Sequence, residues 1–307
     1  SIDSPTVFCA GPQDIYVTVI NGGTNQVDTF TVTHIINGGT PVVTVYDSIL
    51  LDTLNGTGSN TVQLNLGTVN ITSATTFEVY TSFPNNQPDT INLGDTATTT
   101  FVPALNGTFT IDSLGAGPTN YQSFDAAVSD LNTYGVCGPV VFNVANDTYV
   151  GQLAFDNING ASTTNTITFQ SASGDTALCV VEWTAFNNGN QTYDGTVRFN
   201  AGASNIHFKN IKFYNPSTSS TYATVVTFNG NAEDVSFDGC RFTNNQSTTN
   251  STFASLVYKT SSVNLEDITF EGCTFYKGSH GMYWYGNSGN YDKRTHVIDC
   301  EFLDQYY

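Results

Sequence analysis

Six cysteines, four histidines, one dense run of charged residues and one cluster of aromatic rings are the groups in this 307-residue sequence that could do chemistry. Cys137 and Cys179 form the candidate disulfide. Cys240, Cys273 and Cys300 recur at one position of an internal repeat, where stacked neighbours stand about 4.8 Å apart and bridged Cβ atoms would need about 3.8 Å. They read as free, buried thiols packing as small hydrophobes. Cys9 has no evident partner near it and is left either free or paired across the domain boundary.

The histidines do not assemble a metal site. His207 and His296 share one column of the repeat but lie three coils apart, about 14 Å, which a single ion does not span. His34 falls in a strand and His280 in a loop. No metal and no cofactor is expected. Asp292, Lys293, Arg294, Asp299 and Glu301 make the one dense mixed-charge run, and Asp238 and Glu271 share an outward column with Lys209 that Ile298 completes. A lyase needs a base beside carboxylates that hold Ca²⁺, and a glycoside hydrolase needs two carboxylates flanking a cleft. Acids and bases on adjacent rungs equally make ordinary surface ion pairs. No residue is therefore assigned a catalytic role.

Tyr283, Trp284, Tyr285 and Tyr291 surround the segment 286–290, with Lys293 and Arg294 beside them. Flat rings next to hydrogen-bonding groups suit sugar faces, which makes these four the carbohydrate-binding candidates. Strand alternation turns about half of such rings inward, so core packing is the competing reading.

The elements that must position these groups are strands. Asn205-Ile-His-Phe-Lys-Asn-Ile-Lys-Phe213, Asp234-Val-Ser-Phe-Asp-Gly-Cys-Arg-Phe242 and Asp267-Ile-Thr-Phe-Glu-Gly-Cys-Thr-Phe275 repeat almost position by position, with a weaker copy in Thr295-His-Val-Ile-Asp-Cys-Glu-Phe302. Aligned on Ile211, Cys240, Cys273 and Cys300, the copies are 29, 33 and 27 residues apart. Alternation, a bend-prone Asn210, Gly239, Gly272 or Asp299, and renewed alternation fit two strands per coil joined by a tight corner. Strand-only periods of this size predict a β-solenoid, specifically a right-handed parallel β-helix. Polar insertions such as residues 244–252 are expected to project as loops.

Upstream, short alternating runs such as Ile15–Ile20, Phe30–Ile35, Val42–Tyr46 and Thr76–Tyr80 are punctuated by Asn-Gly turns, as in an antiparallel sandwich. We place an immunoglobulin-like β-sandwich at residues 1–103 and the solenoid at 104–307. Between them Ser123 is an N-cap, and Phe124, Ala127, Val128 and Leu131 follow helical spacing until Gly135. A short capping helix is predicted over about 123–134. The fold class is thus all-β apart from this helix.

Composition limits the partners. Eight Lys plus Arg against 26 Asp plus Glu give a net charge of −18, and the first basic residue is Arg198. Such a surface does not suit phosphate backbones or anionic lipid, so nucleic acid is excluded as a partner. Aromatic residues at 13% supply enough apolar surface to fold, and no window is long and apolar enough for a transmembrane segment.

The stretches Ala104–Asp112, Tyr121–Val128, Tyr134–Val144 and Ile158–Ser171 resemble large secreted surface proteins of Bacteroidota. The resemblance implies an immunoglobulin-like module followed by a right-handed parallel β-helix, export by type IX secretion machinery, and roles as adhesins or surface filaments. No C-terminal sorting domain is recognisable, and the solenoid is expected to continue beyond Tyr307. Asp followed by Ser or Thr and a small aliphatic residue occurs at Ser48, Thr53, Thr90, Thr96, Ser113 and Thr176, which resembles the O-glycosylation signal of such exported proteins. The expected function is an extracellular or cell-surface adhesin or stalk segment without catalysis, its partners being surface glycans or further copies of itself. The alternatives are a secreted carbohydrate-active enzyme on the β-helix and a subunit of a surface filament.

Overall fold

The structure is a computed structural model, and it describes residues 1–89, 94–184, 195–259, 261–286 and 291–307. The chain divides into two compact units, Ser1–Ala104 and Leu105–Tyr307. In the first, Gly11–Ile20 pairs antiparallel with Thr61–Ile71. A second antiparallel sheet runs in the order Val42–Leu51, Val27–Ile36, Thr75–Ser82, Thr96–Phe101. The strand sequences alternate, so one set of side chains (Ile15, Val17, Phe30, Val32, Phe77 and Val79) becomes a buried core. His34 lies in this core and stacks on Phe77, with ring centroids 6.1 Å apart.

The second unit is a parallel β-solenoid of about six turns. Each full coil contributes to three walls. The long wall runs in the order Lys293–Ile298, Leu265–Glu271, Ala232–Asp238, Ala203–Lys209, Ile167–Ser171, Val136–Val144, Leu105–Ile111 and Asn120–Tyr121. A second wall stacks Asp147–Val150, Cys179–Glu182, Lys212–Asn215, Arg241–Asn244, Thr274–Tyr276 and Glu301–Leu303, and a third stacks Leu153–Phe155, Val197–Phe199, Val226–Phe228, Val257–Lys259 and Met282–Trp284. Every pairing between these strands is parallel. The sequence reading of two strands per coil is corrected to three. The third strand is only three residues long, too short to show alternation.

Two backbone positions per coil take left-handed dihedrals. Asn205, Asp234, Asp267 and Arg294, with φ between 50° and 58°, interrupt the long wall, and Asn210, Gly239, Gly272 and Asp299, between 50° and 59°, turn its corner. Asn, Asp and Gly tolerate this region, which is why they recur there.

Parallel register sets like upon like inside. Phe142, Phe169, Phe208, Phe237 and Phe270 form a continuous column with successive centroids 4.7, 5.4, 5.1 and 5.0 Å apart. A second column joins Phe213, Phe242, Phe275 and Phe302 at 5.7, 4.9 and 4.6 Å. The helix Phe124–Tyr134 is capped by Ser123, whose hydroxyl accepts from Ala126 N at 3.2 Å, and it buries Phe124, Ala127, Val128 and Leu131 in the same core. Gly135 ends it at φ 73°, where a Cβ would stand 2.4 Å from Asn159 O. Among the described residues no helix is long and apolar enough to cross a membrane.

Candidate functional site

Where the third wall turns into the long wall, successive coils place the same three positions side by side. Gly202, Ala203 and Ser204 lie beside Asn231, Ala232 and Glu233, then Asn264, Leu265 and Glu266, then Tyr291 and Lys293. These residues line a cleft of about 370 Å³. Its floor is a corner ladder: Gly202 N donates to Asn231 O at 2.8 Å, and Asn264 N to Asn231 Oδ1 at 2.9 Å. Asn264 Oδ1 is buried there without a hydrogen-bond partner among the described residues, an acceptor held ready for a donor. Tyr291 stands at the lip, 79% exposed.

One side of the cleft is charged. Lys293 Nζ donates to Glu266 Oε2 at 3.3 Å, and the Arg294 guanidinium bridges Glu266 and Asp267. Hydrogen bonds from Arg294 first, then Lys293, hold the Glu266 carboxyl below the usual carboxylate range, and those from Arg294 do the same for Asp267. Glu233, one rung away from Glu266, is exposed.

The four aromatic candidates do not form one surface. Tyr283 faces outward from the third wall and stacks on Tyr258, centroids 5.7 Å apart and nearly parallel, with Tyr285 stacked on it at 6.3 Å. Trp284 faces inward. Its ring meets Phe228 edge-on at 5.9 Å, and its Nε1 donates to Asp292 Oδ2 at 2.7 Å. Strand alternation separates Tyr283 from Trp284, so Trp284 packs against the core instead of standing beside Tyr283 on the outer face. Only Tyr291 lies at the cleft.

The charged run is divided in the same way. Asp292 turns inward, whereas Lys293 and Arg294 remain in the surface ion pairs. Asp292 meets Lys259, which the sequence reading passed over because it lies in a three-residue strand outside the recognised repeat. Its signal was the pair Val257 and Lys259, standing where earlier coils carry Val197 with Phe199 and Val226 with Phe228.

Cys179 is a free thiol, fully buried on the second wall, whereas Cys137 is disulfide-bonded and points outward from the long wall. The expected Cys137 to Cys179 bridge is therefore corrected: the two side chains lie on opposite faces of different sheets. Cys9 is also disulfide-bonded. Cys240, Cys273 and Cys300 are free, and each Sγ donates to the carbonyl of the preceding coil's Phe208, Phe237 or Phe270 at 3.6, 3.3 and 3.5 Å. Burial pushes the Cys179 and Cys273 thiols up to about 12 and Cys240 well above its ordinary value.

His207 and His296 occupy one outward column with Ser236 and Thr269 between them. His207 Nδ1 contacts Ser236 Oγ at 2.8 Å and its Nε2 lies 3.8 Å from Asp234, while burial pulls its pKa down. Among the described residues no group of three or more His, Cys, Asp or Glu is arranged to hold a metal ion.

Of the modification candidates, Ser48 and Thr96 are exposed, and Thr53 is half-buried. The Ser113 hydroxyl is engaged by Asp147 and that of Thr176 by Gly239 O. Thr90 lies outside the described residues.

The sequence matches no family model and no curated protein. Among solved structures the chain is similar to the crystal structure of the Agl-KA catalytic domain, at 12% identity over 97% of this chain and 70% of that one, with a TM-score of 0.23.

Proposed function

We propose that this chain is a segment of an exported cell-surface protein in which an immunoglobulin-like module precedes a right-handed parallel β-helix, and that the solenoid is a stiff scaffold displaying a glycan-binding cleft. The cleft between Asn231, Asn264, Glu233 and Tyr291 carries this reading. It combines side-chain amides and a carboxylate, which match sugar hydroxyls, with an exposed ring that can lie against a sugar face. The in-register columns beneath it support the scaffold part, because every coil is hydrogen-bonded to its neighbours and the interior leaves little slack. The Bacteroidota resemblance supports export and surface location.

Glycan-array binding of the intact chain tests the reading. Retention is expected, and both Tyr291→Ala and Glu233→Gln are expected to abolish it with the melting temperature unchanged. Retention undiminished by either variant removes the cleft from the function.

One observation favours a catalytic alternative. Glu233 and Glu266 stand on adjacent rungs at the same cleft, with Glu266 held ionised by Arg294 and Lys293. Adjacent parallel strands are about 4.8 Å apart, and a retaining glycoside hydrolase uses two carboxyl groups about 5 Å apart. Release of reducing sugar from polysaccharide by the wild type, lost in Glu233→Gln and in Glu266→Gln, would replace binding with hydrolysis.

A further inference from the structure

Lys259 stands in the inward column that holds Phe199 and Phe228 in the two preceding coils. Its side chain is 1% exposed. Nζ lies 3.1 Å from Asp292 Oδ2 and donates to Tyr285 O at 2.9 Å. Asp292 immediately precedes Lys293, which pairs with Glu266, so it follows Ala203, Ala232 and Leu265 in the inward column of the long wall. Two inward columns that are apolar elsewhere thus place an amine and a carboxyl group in contact.

Two further donors reach the same carboxyl group. Trp284 Nε1 donates to Asp292 Oδ2 at 2.7 Å and Leu265 N to Oδ1 at 2.9 Å. Nζ and Oδ2 are in direct contact at 3.1 Å, so a single proton passing from Nζ to Oδ2 starts the reaction proposed below from a neutral amine facing a neutral acid. A neutral amine is a nucleophile, and the oxygen bonded to the acid carbon lies 3.1 Å from it.

The geometry points to an amide bond between Lys259 Nζ and Asp292 Cγ, formed within the folded chain with loss of one water. The amine lone pair attacks Cγ, and the negative charge that develops on Oδ1 faces the Leu265 N–H. A second amine proton passes to the protonated Oδ2, the Cγ–Oδ2 bond breaks, and Oδ2 leaves as water. The ammonium and carboxylate together lose one oxygen and two hydrogens, and no oxidant or reductant is needed.

The polar groups of the product are also accounted for. Its single N–H keeps Tyr285 O as acceptor, and its carbonyl oxygen has two lone pairs, enough for the Leu265 and Trp284 N–H groups. The bond would fasten the third wall to the long wall next to the cleft lip, independently of what the cleft binds.

Intact-mass measurement of the recombinant chain, under reducing conditions, tests the proposal. A mass lower than the reduced polypeptide by one water is expected, together with a branched peptide joining the Lys259 and Asp292 segments and no tryptic cut after Lys259. Lys259→Met and Asp292→Ala are each expected to show the full mass of their own sequence. A wild-type mass equal to the bare polypeptide with cleavage after Lys259 in the unfolded chain would leave only a buried salt bridge and overturn the bond. A water loss that persists in both variants overturns it as well.

Discussion

Asn215 and Asn244 occupy the same inward position in successive coils, and each turns its amide onto loop backbone. Asn215 Nδ2 donates to Tyr222 O and Thr224 O at 3.1 and 2.8 Å, and Asn244 Nδ2 to Ala223 O and Ala254 O at 2.8 and 2.9 Å. Their Oδ1 atoms accept from Ser217 N and Gln246 N. Both residues are fully buried, and each supplies hydrogen bonds to loop backbone; Ala254 O also accepts from Ser279 N at 3.0 Å, so Ala223 O and Gln246 N are the groups that depend on Asn244.

Replacing one of these amides leaves buried backbone groups unpaired. Asn244→Ala is expected to destabilise the solenoid by about 3 kcal/mol, since each orphaned group costs about 1–3 kcal/mol. Equilibrium denaturation measures it, and a change within about 0.5 kcal/mol, the range of neutral surface substitutions, would show that water satisfies the loop instead.

Phe208 is fully buried and stacked between Phe169 and Phe237. Phe208→Ala is expected to cost about 3–5 kcal/mol, because parallel register holds the rings above and below too firmly to fill the space. The urea midpoint should fall with the slope unchanged.

Trp284→Ala removes a ring packed on Phe228 and the donor to Asp292. It should lower stability by about 3–5 kcal/mol. A lost glycan signal in that variant would report misfolding, which is why Tyr291 is the residue to substitute in binding experiments. An unchanged melting temperature would contradict the inward placement.

The solenoid thiols should be unreactive in the native state. With Cys179 and Cys273 pushed up to about 12 by burial, almost no thiolate exists at pH 8, and alkylation requires unfolding. Cys300, less buried than the other three, should react first. Mass spectrometry of timed iodoacetamide reactions gives the order, and equal rates at Cys273 and Cys300 would refute it.

Glu266 and Asp267 have folded-state pKa values below their unfolded ones, held there by Arg294. Their contribution to stability is present above the unfolded carboxylate values and is lost as pH falls through the lower folded values. Arg294→Ala should raise both midpoints toward ordinary carboxylates in an NMR titration. Because the pairs lie at the surface in contact with solvent, it should change neutral-pH stability little. Midpoints that do not move would show that the bridge does not persist in solution.

The solenoid was legible in the sequence because a parallel coil repeats its environment. Phe208, Phe237 and Phe270 recur because each meets the same neighbours, and Asn210, Gly239 and Gly272 recur because the corner needs a left-handed residue at each turn. The charged column of Lys209, Asp238, Glu271 and Ile298 was read correctly for the same reason. The third wall was not legible. Three residues cannot display a period, and its spacing to the long wall varies with the insertions.

What the sequence determined by itself was therefore the periodic part: strand positions, inward columns, the capped helix and an acidic surface poor in bases. These follow from rules that act over a few residues and repeat. The tertiary structure alone decided which non-repeating residues meet. Lys259 and Asp292 are 33 positions apart, one in an unrecognised strand and the other in what looked like a surface charge run, yet their columns adjoin inside the coil. Cys137 and Cys179 were the candidate bridge, but Cys179 is free and the side from which each strand presents its side chain keeps the two apart. Local pattern fixes the face of a strand, and only closure of the coil decides which faces come together.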